Sequence, residues 1–192
     1  PINLTVQRGE EIIIRYNASF NDKRMNFIDN DHVFLTQEWY PRPDLLTHYA
    51  LAVTLPDTFI AVSEAESVTI QKQGQTKTFN FQFNHPLDRL HLAASTRYVV
   101  KKDQYNDIAI EAYFFKEDAQ LANTYIVYTK KYLAMYETLL TPYPYQRFAI
   151  VENIFPTGIS MPTYTLLGKR IVRLPFIIKT SLGHEILHQW FG

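Results

Sequence analysis

The sequence has no cysteine. That excludes disulfides and thiolate ligands, and it leaves His, Asp, Glu and water as the only candidates for a metal site. Glycine is scarce, six in 192 residues, and scattered. No GxxxxGK run is present to cradle a phosphate. No G-x-S-x-G elbow carries a nucleophilic serine either, since the nearest stretch, TGISMP, lacks the second glycine. Charge of one sign is also missing: Lys plus Arg and Asp plus Glu number 19 each. This argues against a basic nucleic-acid face, and nucleic acid is not expected as a partner. No apolar run approaches the roughly 20 residues of a membrane span. The opening PINLTVQRGE has neither the basic region nor the apolar stretch of a signal peptide, and the compartment stays open between cytoplasm and periplasm.

What is present is core-forming material. Apolar residues make up 46% of the chain and aromatic residues 15%, enough for a real globular core in which the rings pack rather than stack on a ligand. The first half repeats a strand rhythm through EEIIIRY, HYALAVTLP, TFIAVS, TKTFNFQFN and LHLAASTRYVV, punctuated by ASFNDK, YPRPD and QKQGQ. The fold class expected is α+β, with antiparallel β structure packed face to face over residues 1–105. From residue 106 the period changes. DIAIEAYFF reads as a strand, and KEDAQLANTYIVYTKKYLAMYETLL as one long helix whose buried stripe would be Leu121, Tyr125, Tyr128, Leu133, Met135 and Tyr136. TPYPY stops it, because proline cannot continue a helix, and Tyr143 and Tyr145 are expected to pack within that turn. RFAIVEN and TYTLLG read as short buried strands and RIVRL as an edge or connecting segment. A last helix is expected from Pro175 to Trp190 or Phe191.

That last helix carries the chemistry. In SLGHEILHQWFG, His184 and His188 are four residues apart and so share one helix face. Two imidazoles on adjacent turns can converge on one zinc ion, although a catalytic zinc ordinarily takes a third protein ligand and a water. Glu185 stands beside the first ligand, where a carboxylate can take a proton from water and pass it to a leaving amine. The spacing would arise by chance in about one chain in a hundred of this length and composition, so a half-buried helix with two coincidental histidines is the alternative. His32, His48, His85 and His91 share no spacing and read as hydrogen-bonded or exposed side chains.

Residues beyond the motif carry a family resemblance. HEILHQWFG, with Trp190, Phe191 and Gly192 after the second histidine, resembles the hallmark of the M1 family of zinc aminopeptidases. TQEWYPRPD resembles a proline-containing turn of that family's N-terminal β domain. The resemblance implies that residues 106–192 begin a thermolysin-like α/β catalytic domain, truncated here, and that the chain is part of a longer protein. It implies Zn²⁺ as cofactor, one per intact enzyme, held by His184, His188 and a glutamate on a following helix beyond Gly192. It also implies Glu185 as general base, a peptide as substrate, and a catalytic tyrosine beyond this sequence. The remainder of the catalytic domain is then a packing partner, and self-association of an isolated fragment is a risk.

One departure bears on specificity. The family's Gly-x-Met-Glu-Asn edge strand grips substrate backbone, and its Glu binds the free amino terminus. Aligning FPTGISMPTYTLLG on Phe155, Pro156 and Gly158 makes Gly158, Ile159, Ser160 and Met161 the substrate-binding candidates, with Met161 at the glutamate's place and Pro162 at the asparagine's. A thioether cannot pair with an ammonium group, so the choice between exopeptidase and endopeptidase stays open, with a structural Met161 as the other reading. Glu152, on the strand upstream, is out of register to replace the missing carboxylate. Thr36 and Gln37 lie too close to Pro41 for a substrate-contacting role to be transferred. A non-catalytic scaffold of the same fold is the competing reading, and it leaves a base beside two ligand-type histidines without a purpose.

Overall fold

The computed structural model describes residues 9–22, 24–156 and 158–191. The first eight residues of PINLTVQRGE, Lys23 at the end of ASFNDK, and Gly192 of the motif lie outside the described residues. The strands of the first half are β1 (Asn21–Asp22), β2 (Asn26–Ile28), β3 (His32–Leu35), β4 (Ala50–Pro56), β5 (Ile60–Ser63), β6 (Ser67–Gln73), β7 (Thr76–Gln82) and β8 (Leu92–Ser95). After them come β9 (Tyr98–Tyr105), β10 (Ile108–Phe115), helix α1 (Ala122–Leu139), β11 (Arg147–Asn153), β12 (Gly158–Met161), β13 (Tyr164–Gly168) and helix α2 (Ser181–Leu187).

Strand alternation builds these elements into layers. β1-β2-β3-β8-β5 form one antiparallel sheet and β4-β7-β6 a second. Val33, Leu35, Ala61, Leu92 and Ala94 of the first sheet pack with Phe79 and Phe81 of the second, which makes an antiparallel β-sandwich. The alternate residues of the same strands, Phe34, Val62 and Ala93, point the other way and pack on Tyr113, Phe115, Val151 and Leu166 of the third sheet. Covered on both faces, β3 and β8 are buried at every position. The third sheet, β12-β13-β11-β10-β9, is mixed: β11 lies parallel to β10 and to β13, and the two outer pairs are antiparallel. Its far face, with Ile110, Phe114, Phe148 and Ile150, carries Tyr125, Ile126 and Leu133 of α1 and Leu182 and Ile186 of α2. The fold class is therefore α+β, sandwich first and helix-covered mixed sheet second. The sheet includes β9, so it continues across residue 105.

Several local expectations change. Residues 10–16, EEIIIRY, form no strand, and Ile12, Ile13, Ile14 and Tyr16 are exposed. A strand needs a ladder partner, and this segment has none among the described residues. LHLAASTRYVV is two strands in different sheets, broken at Thr96 and Arg97. RIVRL, read as an edge or connecting segment, is the latter, a run of turns. In α1 the buried side chains are Ala122, Tyr125, Ile126, Thr129 and Leu133, while Met135, two positions past Leu133 and so on the opposite side of the helix, is exposed. The last helix is shorter than expected: Ile177–Lys179 form a 3-10 turn, Thr180 leaves helical geometry at φ −129, and α2 ends at Leu187.

Candidate metal centre

α2 has seven residues, too few to be stable alone. Two fully buried side chains, Leu182 and Ile186, pin it to the core, each worth about 1.5–3 kcal/mol of burial. Gly183 sets its height. A Cβ built there would lie 2.6 Å from Cε1 of Tyr132 on α1, so any larger residue would have to displace that ring, and the Tyr136 hydroxyl donates to the Gly183 carbonyl at 3.0 Å. With Leu182, Gly183 and Ile186 turned inward, the helical period turns His184 and His188 outward, where both are exposed, and leaves Glu185 half-buried.

The two imidazoles face one another. Their ring centroids are 4.6 Å apart at 83°, and the Nε2 atoms are 3.1 Å apart. His188 is the C-cap of α2, still near helical geometry, so the motif survives the early end of the helix. Nδ1 of His188 lies 3.1 Å from the Phe191 carbonyl. A carbonyl only accepts, so in the neutral ring this assigns the proton to Nδ1 and leaves a lone pair on Nε2. Two nitrogens about 2.05 Å from a tetrahedral ion would be roughly 3.3 Å apart, close to the spacing found. The pair therefore fits half of a zinc site. Among the described residues no group of three or more His, Asp or Glu gathers as a metal cage.

Glu185 is fastened to β12. The Ser160 hydroxyl lies 2.6 Å from Glu185 Oε2 and 3.0 Å from the Glu185 carbonyl. An ideal Cβ at Gly158 would stand 3.3 Å from Oε1, so the strand backbone comes up close against the carboxylate. Alternation divides the four substrate-binding candidates. Gly158 and Ser160 face Glu185, while Ile159 and the buried Met161 belong to the apolar core between the first and third sheets. Met161 is 3% exposed and belongs to that core, although the residue also borders the cleft. β12 is also the edge of its sheet, paired among the described residues to β13 on one side only. An open cleft of about 550 Å³ lies here, lined by Tyr145, Gly158, Ser160, His184, Glu185 and His188 among others.

Gln189 was not singled out from the sequence. It is 5% exposed; its amide donates to the Met161 carbonyl at 3.0 Å, and its oxygen accepts from the Thr163 N–H at 2.8 Å. The signal for it was a polar residue at the i+7 position of the buried stripe Leu182, Ile186, Gln189. Tyr143 is buried as expected, its hydroxyl donating to the Arg147 carbonyl, and Tyr145 packs its ring against Tyr143 as expected while also lining the cleft. Trp190 donates its indole N–H to the Thr141 carbonyl at 3.1 Å. Glu152 lies away from the cleft, fully buried, with Oε2 accepting from the Phe115 N–H at 2.7 Å. Burial, with Asp118 adding to it, pushes its carboxyl up to about 8. Of the other histidines, His32 and His91 are bound to Asp29 and Glu64, and His48 and His85 are exposed.

No family model and no curated protein matches this sequence. Solved structures do. An M1 zinc metallopeptidase from Deinococcus radiodurans superposes with a TM-score of 0.66 at 15% identity over 91% of this chain and 44% of that one. A mutant of an M1 zinc metallopeptidase from the same organism gives 0.58 at 15% identity, over 78% and 35% of the two chains. A two-domain M1 zinc metallopeptidase mutant bound to L-arginine gives 0.62 at 14% identity, over 88% and 42%. The chain shares a fold with part of these M1 zinc metallopeptidases and spans less than half of their length.

Proposed function

We propose that this chain is the N-terminal portion of a zinc metallopeptidase of M1 type, a β-sandwich over residues 1–105 followed by the first part of the catalytic domain over 106–192. The observation that carries the reading is the pair of Nε2 atoms 3.1 Å apart with the Glu185 carboxylate on the same turn. His184 and His188 would hold the ion through Nε2, and a bound zinc supplies Lewis acidity toward the scissile carbonyl and makes water a nucleophile at neutral pH. Glu185 accepts the proton of the attacking water at its carboxylate and delivers it to the leaving amine. The open side of β12 offers backbone donors and acceptors to an extended peptide, as an added strand. Gly158 and Ser160 flank that peptide next to the base, and Ile159 and Met161 hold the strand to the core. With a buried thioether at Met161 this strand brings no carboxylate to a substrate amine, so blocked peptides are included among the substrates. The third ligand comes from the rest of the catalytic domain, which would pack on exposed apolar side chains such as Leu139 and Phe176.

The test uses the full-length parent with aminoacyl and blocked peptide probes. Stoichiometric zinc and cleavage are expected, and Glu185→Gln should keep the zinc and lose about 10²- to 10⁴-fold in turnover. A parent that binds no zinc and cleaves neither probe favours the non-catalytic scaffold. These 192 residues alone should bind zinc weakly and turn over nothing, since two imidazoles leave the ion short of a ligand. Chelator-resistant zinc with turnover by the chain alone would overturn the third-ligand assignment.

A further inference from the structure

The hairpin of β12 and β13 is lashed at one point to α2 and at a second to the turn that follows it, and neither attachment is needed to hold a metal ion. At one point the Ser160 hydroxyl reaches both the carboxylate and the carbonyl of Glu185. At the other, the buried Gln189 amide spans the hairpin turn from the Met161 carbonyl to the Thr163 N–H. The turn itself is strained: Thr163 has φ of +72, in the left-handed region that a β-branched residue avoids and that the third position of such a proline turn normally gives to glycine or asparagine. Strain of that kind persists only where the surroundings over-determine it. Here they do, because the Thr163 hydroxyl accepts from the Ala65 N–H at 3.1 Å and its carbonyl from the Ala149 N–H at 2.9 Å.

A free glutamate on a short exposed helix would sample several rotamers. Glu185 instead has one oxygen bonded to Ser160 and the other against the backbone at Gly158. We propose that Ser160 is a positioning residue, which aims the Glu185 carboxylate over the edge strand where a scissile bond would lie, and that the Gln189-anchored turn fixes the height at which Ser160 does this. The proposal rests on the metallopeptidase reading for its kinetic consequence, not for its geometry. Ser160 thus acts on the base rather than on the substrate.

The experiment compares Ser160→Ala and Ser160→Thr with wild type in the full-length parent. Ser160→Ala should lower kcat by about 10- to 100-fold with KM within about 2-fold, at unchanged zinc content and melting temperature. Ser160→Thr, which restores the hydroxyl, should recover most of the loss. An unchanged kcat, or a loss carried by KM alone, overturns the proposal. A crystal structure of Ser160→Ala decides the same point without turnover. The Glu185 carboxylate swung away from Gly158 supports the role, and an unmoved carboxylate overturns it. Should the parent bind no zinc and cleave no probe, the metallopeptidase reading fails while this structural arm still gives its answer.

Discussion

The packed layers and the α2 cleft treat the same side-chain types in opposite ways. Between the sheets, several titratable groups are held by fixed partners, although His32 Nε2 and the Tyr164 hydroxyl find none among the described residues. His91 Nδ1 meets the fully buried Glu64 at 2.5 Å, and Glu111 is bonded by Arg147 at 2.8 Å and by Lys102 at 2.7 Å, which, against the cost of burial, hold its carboxyl down to about 2. At the cleft, two imidazoles are exposed, meet only each other and a backbone carbonyl, and have no carboxylate within ion-pairing distance among the described residues. A buried polar group left without a partner costs about 1–3 kcal/mol, so most buried groups take one. At the surface water would serve as well, and a protein-made arrangement there is free to serve a ligand.

Removing one histidine from each region tests this division most directly. In the full-length parent, His184→Ala or His188→Ala should weaken zinc binding by at least about 100-fold, measured by competition with a chromophoric chelator, while His91→Ala leaves zinc stoichiometry unchanged. Zinc loss in the His91 variant would contradict the division. Next in size is Gly183→Ala: the added methyl meets the Tyr132 ring, and overpacking of this kind should lower stability by about 1–3 kcal/mol, read as a drop in melting temperature. His91→Ala should cost a similar or smaller amount, about 1–3 kcal/mol, by stripping the imidazole from buried Glu64; an unchanged denaturation midpoint would show that bond to be dispensable.

The last test reads a slope rather than a single step in stability. Glu152 has its carboxyl pushed up to about 8 from an ordinary value of 4.5, so the folded state keeps a proton that the unfolded chain releases. Its contribution is fully present below pH 4.5 and is lost progressively as pH rises toward 8. Glu152→Gln cannot release that proton, so its stability should decline less over this window, and denaturant titrations at several pH values would measure the difference. Parallel curves for wild type and variant would mean that Glu152 is ionised in the folded protein.

How much was legible in advance depended on how local each signal was. RFAIVEN was read as a buried strand and is β11 at every residue, because a short apolar run between turn signals describes a strand covered on both faces. EEIIIRY carries a similar local signal and forms none, since pairing is not a property of the segment. β6 was missed because SVTIQKQ lies largely exposed on an edge and has little apolar content to read. At the candidate metal centre, the grouping of His184, Glu185 and His188 was legible through a spacing of about one helical turn. The contact of Ser160 with Glu185 spans 25 positions, and no period in the sequence encodes it.

Two alternations could be read from the chain alone, period two through the sandwich and a helical turn at the motif, because both follow from backbone geometry over a few residues. Where the last helix stops, that Met161 faces the core while Ser160 faces the base, and that Gln189 clasps the hairpin were settled by packing between distant segments. Those outcomes depend on which surfaces exclude water together, and steric fit such as that of Gly183 against Tyr132 exists only once distant segments have met.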